Sequence, residues 1–200
     1  MSISDIISAD FVAERSFRRH LRPPAVPQLP AITPGQLWLV EIAPDAPLSA
    51  PARHVFGSGN VLMYDRVLGD LVANELPLGA YAEPASEAAL GVARGVHFAR
   101  DGWSVARLLS ARLAPRERTR RVQDVVDELA VARVPGRLPV QIVAEAPDGI
   151  EEHLSVRFDE LTAVVARFPR ETQLAIVIDA FGGGRLATRV HHIAANGLAG

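Results

Sequence analysis

The chain has no cysteine and no lysine, and each absence removes a class of chemistry. Without cysteine there is no disulfide, no thiol nucleophile and no thiolate metal site. All 21 lysine-plus-arginine positions are arginine, which excludes a catalytic lysine or a Schiff base. Long hydrophobic runs are missing too: no apolar stretch reaches the length that crosses a bilayer. Near the N-terminus Asp5, Asp10 and Glu14 interrupt the apolar residues, unlike a secretion signal. The formal net charge is only −2, too little to hold a nucleic acid or a membrane surface by bulk charge. The cytoplasm is the compartment these absences leave.

What is present is ample apolar material. A chain of 200 residues that is 48% hydrophobic can bury one large core or two small ones. Residues 5–22 form a short amphipathic pattern, with Ile6, Ile7, Phe11, Phe17 and Leu21 near one helical face and Arg15, Arg18, Arg19 and Arg22 elsewhere. Pro23 and Pro24 stop it, and a proline-rich linker runs to Pro34. Such an arm can pack on the body or on a partner subunit. From Gln36 the pattern changes to short apolar runs: Leu37 to Val40, and Val61 to Tyr64 after the turn signal Gly57-Ser58-Gly59-Asn60. Glu87 to Arg100 reads as a helix and Trp103 to Leu109 as a third strand. Val122, Val125, Val126 and Leu129 then fall on one face of a helix over 119–132, ended by Pro135-Gly136. Further strands follow at 139–144, 154–158 and 174–178, with a short helix capped by Asp159 running to Phe168. Strands alternating with helices predict an α/β fold with a mainly parallel or mixed sheet.

Most single residues carry little chemistry on their own. Gly57-Ser58-Gly59 precedes a strand, the wrong order for a phosphate cradle, and reads as a turn. Gly182-Gly183-Gly184 follows a strand, but no clear helix succeeds it. His191-His192 lacks an Asp, Glu or Cys arrangement suited to a metal, so no metal site is expected, and His54, His97 and His153 stand alone. No serine sits in a G-x-S-x-G elbow, which leaves hydrolase chemistry unsupported. Arg112, Arg116, Arg118, Arg120 and Arg121 form a local basic patch, read as a solvated helix start or as a site for an anion.

Three motifs together carry a resemblance. Gly35 to Val40 followed by Ala43-Pro44-Asp45-Ala46-Pro47, then Tyr64-Asp65-Arg66-Val67-Leu68, and then a helix and glycine before Val105-Ala106-Arg107-Leu108 are similar to the opening half of the tetrapyrrole methylases. Uroporphyrinogen-III C-methyltransferase is the nearest type. Residues 122–144 and 154–179 resemble that family's C-terminal half. The resemblance implies two small α/β domains, 35–114 and 115–185, after an arm and linker over 1–34 and before a loose tail over 186–200. It implies S-adenosylmethionine as cofactor at Pro44, Asp45, Ala46 and Pro47. It also implies a tetrapyrrole as substrate near Asp65, Arg66 and Arg107, and a homodimer. Arg107 could hold a tetrapyrrole carboxylate as a bidentate donor, or form a strand-edge salt bridge. Likewise Asp65 and Arg66 could face a ligand or tie neighbouring elements together. No catalytic residue is assigned.

The departures from the family pattern bear on activity. Positions at which the family has cofactor-loop glycines align with Glu41, Ala43 and Asp45, which add bulk and negative charge beside a ligand carboxylate. The Gly-Gly-Asp-Pro segment after the third strand aligns with Ser110-Ala111-Arg112-Leu113. Much of the family's central segment has no counterpart, and only Pro115 to Arg121 connects the two halves. Two functions follow from these residues: a methyltransferase of the family, or a non-catalytic member that binds a tetrapyrrole or a protein.

Overall fold

A computed structural model describes residues 29–85, 89–111, 114–146 and 151–182. The arm expected at 5–22, the tail and the histidine pair at 191–192 lie outside them. The described residues form an α/β fold around one seven-stranded sheet. In chain order the strands are β1 (Leu37–Ile42), β2 (Val61–Tyr64), β3 (Tyr81–Pro84), β4 (Val105–Ser110), β5 (Pro139–Glu145), β6 (Glu151–Arg157) and β7 (Gln173–Ile178). Their spatial order is β3-β2-β4-β1-β7-β5-β6. The first four pair in parallel, whereas β7, β5 and β6 each run antiparallel to their neighbours. β1 to β4 form one wing of this sheet and β5 to β7 the other, joined where β1 pairs with β7.

β1 sits at that seam and all six of its residues are buried. A strand covered on both faces needs apolar side chains at every position, and Leu37-Trp38-Leu39-Val40 supplies them. Leu37 and Leu39 point to a core closed by α3 (Ala89–Arg100), α4 (Pro115–Val131) and α5 (Leu161–Val165). Trp38, Val40 and Ile42 point to a second core on the opposite face, under α1 (Ala50–Ser58) and α2 (Gly69–Glu75). Leu29 and Ile32 of the proline-rich segment add to that second core. His54 fixes this segment, packing its ring on Trp38 at 5.6 Å and meeting the Pro30 carbonyl at 2.9 Å.

Several boundaries differ from the sequence reading for physical reasons. The stretch from 115 to 121 is not a connection but the first two turns of α4, opened by Pro115, whose missing N–H costs nothing at a helix start. Gly57 and Ser58 end α1 rather than forming a turn ahead of β2, and the Gly59 N–H closes the helix on the Val55 carbonyl at 2.8 Å. Trp103 precedes β4 and is 51% exposed. Asp159 does not cap a helix; it lies inside a 3-10 turn, Phe158–Glu160, and pairs with Arg157 at 2.9 Å. α1 itself has a sequence signal: Ser49 accepts from the Ala52 N–H at 3.3 Å, with proline in the first turn.

Four described residues have positive φ, and two of them, Gly35 and Arg133, fix how elements start and end. Gly35 has φ 83°, and a Cβ there would lie 2.7 Å from the Phe181 carbonyl carbon. Its N–H and carbonyl bind Trp103 and Phe181 respectively, tying the entry to β1 to the exit from β7. Arg133 is the one described non-glycine residue with positive φ, at 63°, and it ends α4. There the Arg133 N–H bonds to Ala130 at 2.9 Å and the Val134 N–H to Leu129 at 3.0 Å, the pair of bonds that closes a helix through a left-handed residue.

Candidate functional site

In open α/β sheets the ligand cleft forms at the carboxyl ends of parallel strands. Here β1 to β4 supply such ends, and the first turns of α4 reach those of β1 and β2 through Arg118 and Arg121. The inward face of α4 reads Arg118, Val122, Val125, Leu129, all buried. Its last three residues pack on the sheet. Arg118, one turn ahead of Val122, lies over the strand ends instead, where a long side chain must find acceptors.

Arg118 finds five. Its Nε donates to Glu41 Oε1 at 2.6 Å, and its terminal nitrogens donate to the carbonyls of Phe168, Pro169, Arg170 and Thr172 at 2.8 to 3.4 Å. Glu41 lies in β1 on the same face as Leu37 and Leu39, and its second oxygen accepts from the Leu174 N–H at 3.0 Å. Both side chains are almost wholly buried, at 2% and 4% exposure. Burial raises the Glu41 carboxyl above its ordinary value, and the Arg118 charge together with the two hydrogen bonds pulls it partly back.

A second cluster adjoins the first. Asp65, directly after β2, accepts at Oδ1 from Arg107 and from Arg121, each at 2.8 Å, and at Oδ2 from the Ser110 N–H at 2.9 Å. Arg121 also donates to Glu117 at 3.0 Å, which Arg120 grips at 2.6 and 2.9 Å. Those hydrogen bonds, from Arg120 first and Arg121 second, hold the Glu117 carboxyl down to about 2. Burial lowers the Arg107 guanidinium; Asp65 opposes this, and the like charge of Arg121 adds to it.

The structure therefore brings Asp65 and Arg107 together and leaves Arg66 apart, exposed at the start of the 3-10 turn Arg66–Leu68. Of the two uses considered for the Asp65 region, tying elements together is what the contacts display. The basic patch also divides: Arg116 and Arg120 are exposed, but Arg118 and Arg121 turn inward, contrary to a wholly solvated helix start. Arg118 was legible in one respect, since an arginine heads the apolar stripe of α4 at helical spacing. Its partner 77 residues away was not.

Pro44, Asp45, Ala46 and Pro47 form the turn between β1 and α1, with Asp45, Ala46 and Pro47 exposed. Three backbone donors around that turn have acceptors within the chain, the Ala46 N–H bonding to the Ala43 carbonyl at 3.2 Å. Gln173 accepts from the Ala43 N–H at 3.3 Å, and Glu145 from the Ala50 N–H at 3.1 Å, at the N-terminus of α1. A helix N-terminus attracts anions, and here the chain supplies its own. Two observations bear on S-adenosylmethionine at these residues: a buried carboxylate stands at Glu41, and the Ala43 and Ala50 amides carry internal acceptors. Between α3 and the sheet, Met63, Gly91, Gly95 and Arg107 help line an apolar void with room for about one water molecule. Among the described residues no three His, Asp or Glu side chains gather as a metal site, and no helix is long and apolar enough to cross a membrane.

Fold and site together define a mixed α/β protein whose strand-end polar groups are largely satisfied from within the chain. No protein-family model matches the sequence, and no curated protein matches it. Among solved structures the chain is similar to a cobalt-precorrin-4 methyltransferase of cobalamin biosynthesis, at 12% identity and a TM-score of 0.30, covering 71% of this chain and 93% of that one. It is also similar to the uroporphyrin-III C-methyltransferase of Thermus thermophilus. The form complexed with S-adenosyl homocysteine gives 13% identity, 70% and 91% coverage and a TM-score of 0.32. The native form gives 16%, the same coverage of 70% and 91%, and 0.30. Likenesses at this level are distant, and the chemistry of the site stands on its own geometry.

Proposed function

We propose that the chain is a non-catalytic binding or scaffold protein, a shortened relative of the tetrapyrrole methylases whose cofactor end has been closed by its own side chains. One observation supports this most: Glu41, aligned with a glycine of the family's cofactor loop, is buried against Arg118 and the Leu174 N–H. A side chain held there fills the space that a glycine leaves open, and its ion pair commits the Arg118 guanidinium to an internal partner. The partners proposed are an anionic tetrapyrrole or another protein, a second copy of the chain included.

Calorimetry with S-adenosylhomocysteine, checked by thermal shift, tests the reading. No binding at millimolar ligand is the expected result, and micromolar affinity overturns it. The competing reading is methyl transfer to a tetrapyrrole, with the cofactor at Pro44–Pro47 and the substrate at Asp65, Arg66 and Arg107. It draws on the exposure of that turn and of Arg66. Glu41→Gly combined with Asp45→Gly is the sharper probe of an eroded site, because binding gained there requires that the rest of a cofactor pocket survive.

A further inference from the structure

Three donors from two elements of the chain converge on the Asp65 carboxylate: Arg107 and the Ser110 backbone from β4, and Arg121 from α4. The geometry is that of a bound carboxylate, with two guanidinium nitrogens at 2.8 Å on one oxygen and an amide at 2.9 Å on the other. Each donor has a second anchor that does not involve Asp65. Arg121 is held by Glu117 at 3.0 Å, Arg107 reaches the Leu108 carbonyl at 3.4 Å, and Ser110 belongs to the sheet. Asp65 is likewise held by its backbone, its N–H bonded to Leu108 and its carbonyl to Leu68. Truncating its side chain therefore removes the carboxylate and leaves the cradle standing.

We infer that Arg107, Arg121 and the Ser110 N–H form a carboxylate-binding site, and that Asp65 occupies it as a built-in ligand, shutting out external carboxylates. This deepens the reading of a strand end closed from within and rests on it. The two arginines supply the driving force. Both are nearly buried, at 10% and 13% side-chain exposure, and without Asp65 two like charges face each other with no anion between them. The space vacated by Asp65→Ala is that of a carboxylate group, so formate is the matching probe and acetate the next larger one.

The experiment is thermal unfolding of the full chain in sodium formate against sodium chloride at equal ionic strength. Asp65→Ala is expected to gain a saturable rise of roughly 3–8 °C in formate at ten to a hundred times its dissociation constant. Wild type and Asp65→Ala with Arg107→Met are expected to show no saturable difference between the two salts. Equal responses to formate and chloride in Asp65→Ala overturn the inference, as does an equal formate response in all three proteins. Should Asp65→Ala fail to fold in chloride, recovery of the folded state in formate supports the site. Failure in both salts moves the same comparison to Asp65→Ser, where no formate dependence counts against it. These outcomes are independent of S-adenosylhomocysteine binding by the wild type, so the two readings fail separately.

Discussion

Replacing Glu41 by glutamine keeps the shape of the side chain and removes its charge, leaving a guanidinium that is 2% exposed with neutral acceptors alone. Breaking a buried ion pair from one side costs about 3–5 kcal/mol, because the remaining charge stays desolvated. The amide oxygen and the four carbonyls around Arg118 offset part of that, so the expected loss is about 2–4 kcal/mol. Against a total stability of about 5–15 kcal/mol this is a large fraction. For a domain of this size it corresponds to a fall in Tm of roughly 5–15 °C. Arg118→Met should cost at least as much, since it also strips donors from the carbonyls of Pro169, Arg170 and Thr172. The two variants differ in their response to pH. Burial raises the Glu41 carboxyl above 4.5, so the folded chain holds that proton more tightly than the unfolded chain does. Its contribution to stability is complete below the unfolded value and declines as pH rises through the raised folded value. Removing Arg118 takes away the influences that lower it, so in Arg118→Met the decline is expected to reach higher pH. In Glu41→Gln it is expected to vanish. Urea unfolding at a series of pH values measures both effects. Losses under about 1 kcal/mol in both single variants, or the same pH slope in Arg118→Met as in wild type, would show that the pair is not buried as described.

Two further substitutions test the backbone. Gly35→Ala places a Cβ within 2.7 Å of the Phe181 carbonyl carbon and 2.8 Å of the Gly182 nitrogen, at a φ of 83°. A loss of roughly 2–4 kcal/mol in urea unfolding is expected, and a loss below 1 would contradict the close approach. Arg133→Gly relieves an exposed left-handed residue at the end of α4 and should stabilise the chain by about 0.5–1 kcal/mol. A neutral or destabilising result in the same assay would mean that the helix ends some other way.

Sequence patterns revealed those elements whose signal is local. The run Leu37 to Val40 and the run Leu174 to Ile178 announce buried strands because nothing polar interrupts them, and α4 announces itself by Val122, Val125 and Leu129. β3 did not, since Tyr81-Ala82-Glu83-Pro84 is a half-exposed edge strand ending in proline. α2 was also missed, being a seven-residue helix with one fully buried side chain, Val72. The site was legible in its members and not in its pairing. Asp65, Arg107 and Glu41 were each singled out, but β4 and α4 bring Arg107 and Arg121 to Asp65 from 42 and 56 residues away. Nothing in spacing or periodicity encodes such a meeting. Charge runs at helix starts usually face water, which hides Arg118 among its solvated neighbours; helical phase sets it apart, on the face of Val122, Val125 and Leu129.

The position of β1 sets the order in which the sheet can be completed. β1 precedes the other six strands of the sheet in the chain, yet Leu37 pairs with Val105 on one side and Ile178 on the other. Until β7 is synthesised, six consecutive residues, Leu-Trp-Leu-Val-Glu-Ile, carry an open edge. An exposed apolar edge invites pairing with other chains, and contacts so distant in sequence form slowly. Between the synthesis of β1 and that of β7 the central strand of the sheet thus stays unfinished. Expression truncated before Gln173 is expected to yield aggregates rather than a smaller soluble sheet, a liability that disappears once β7 is in place.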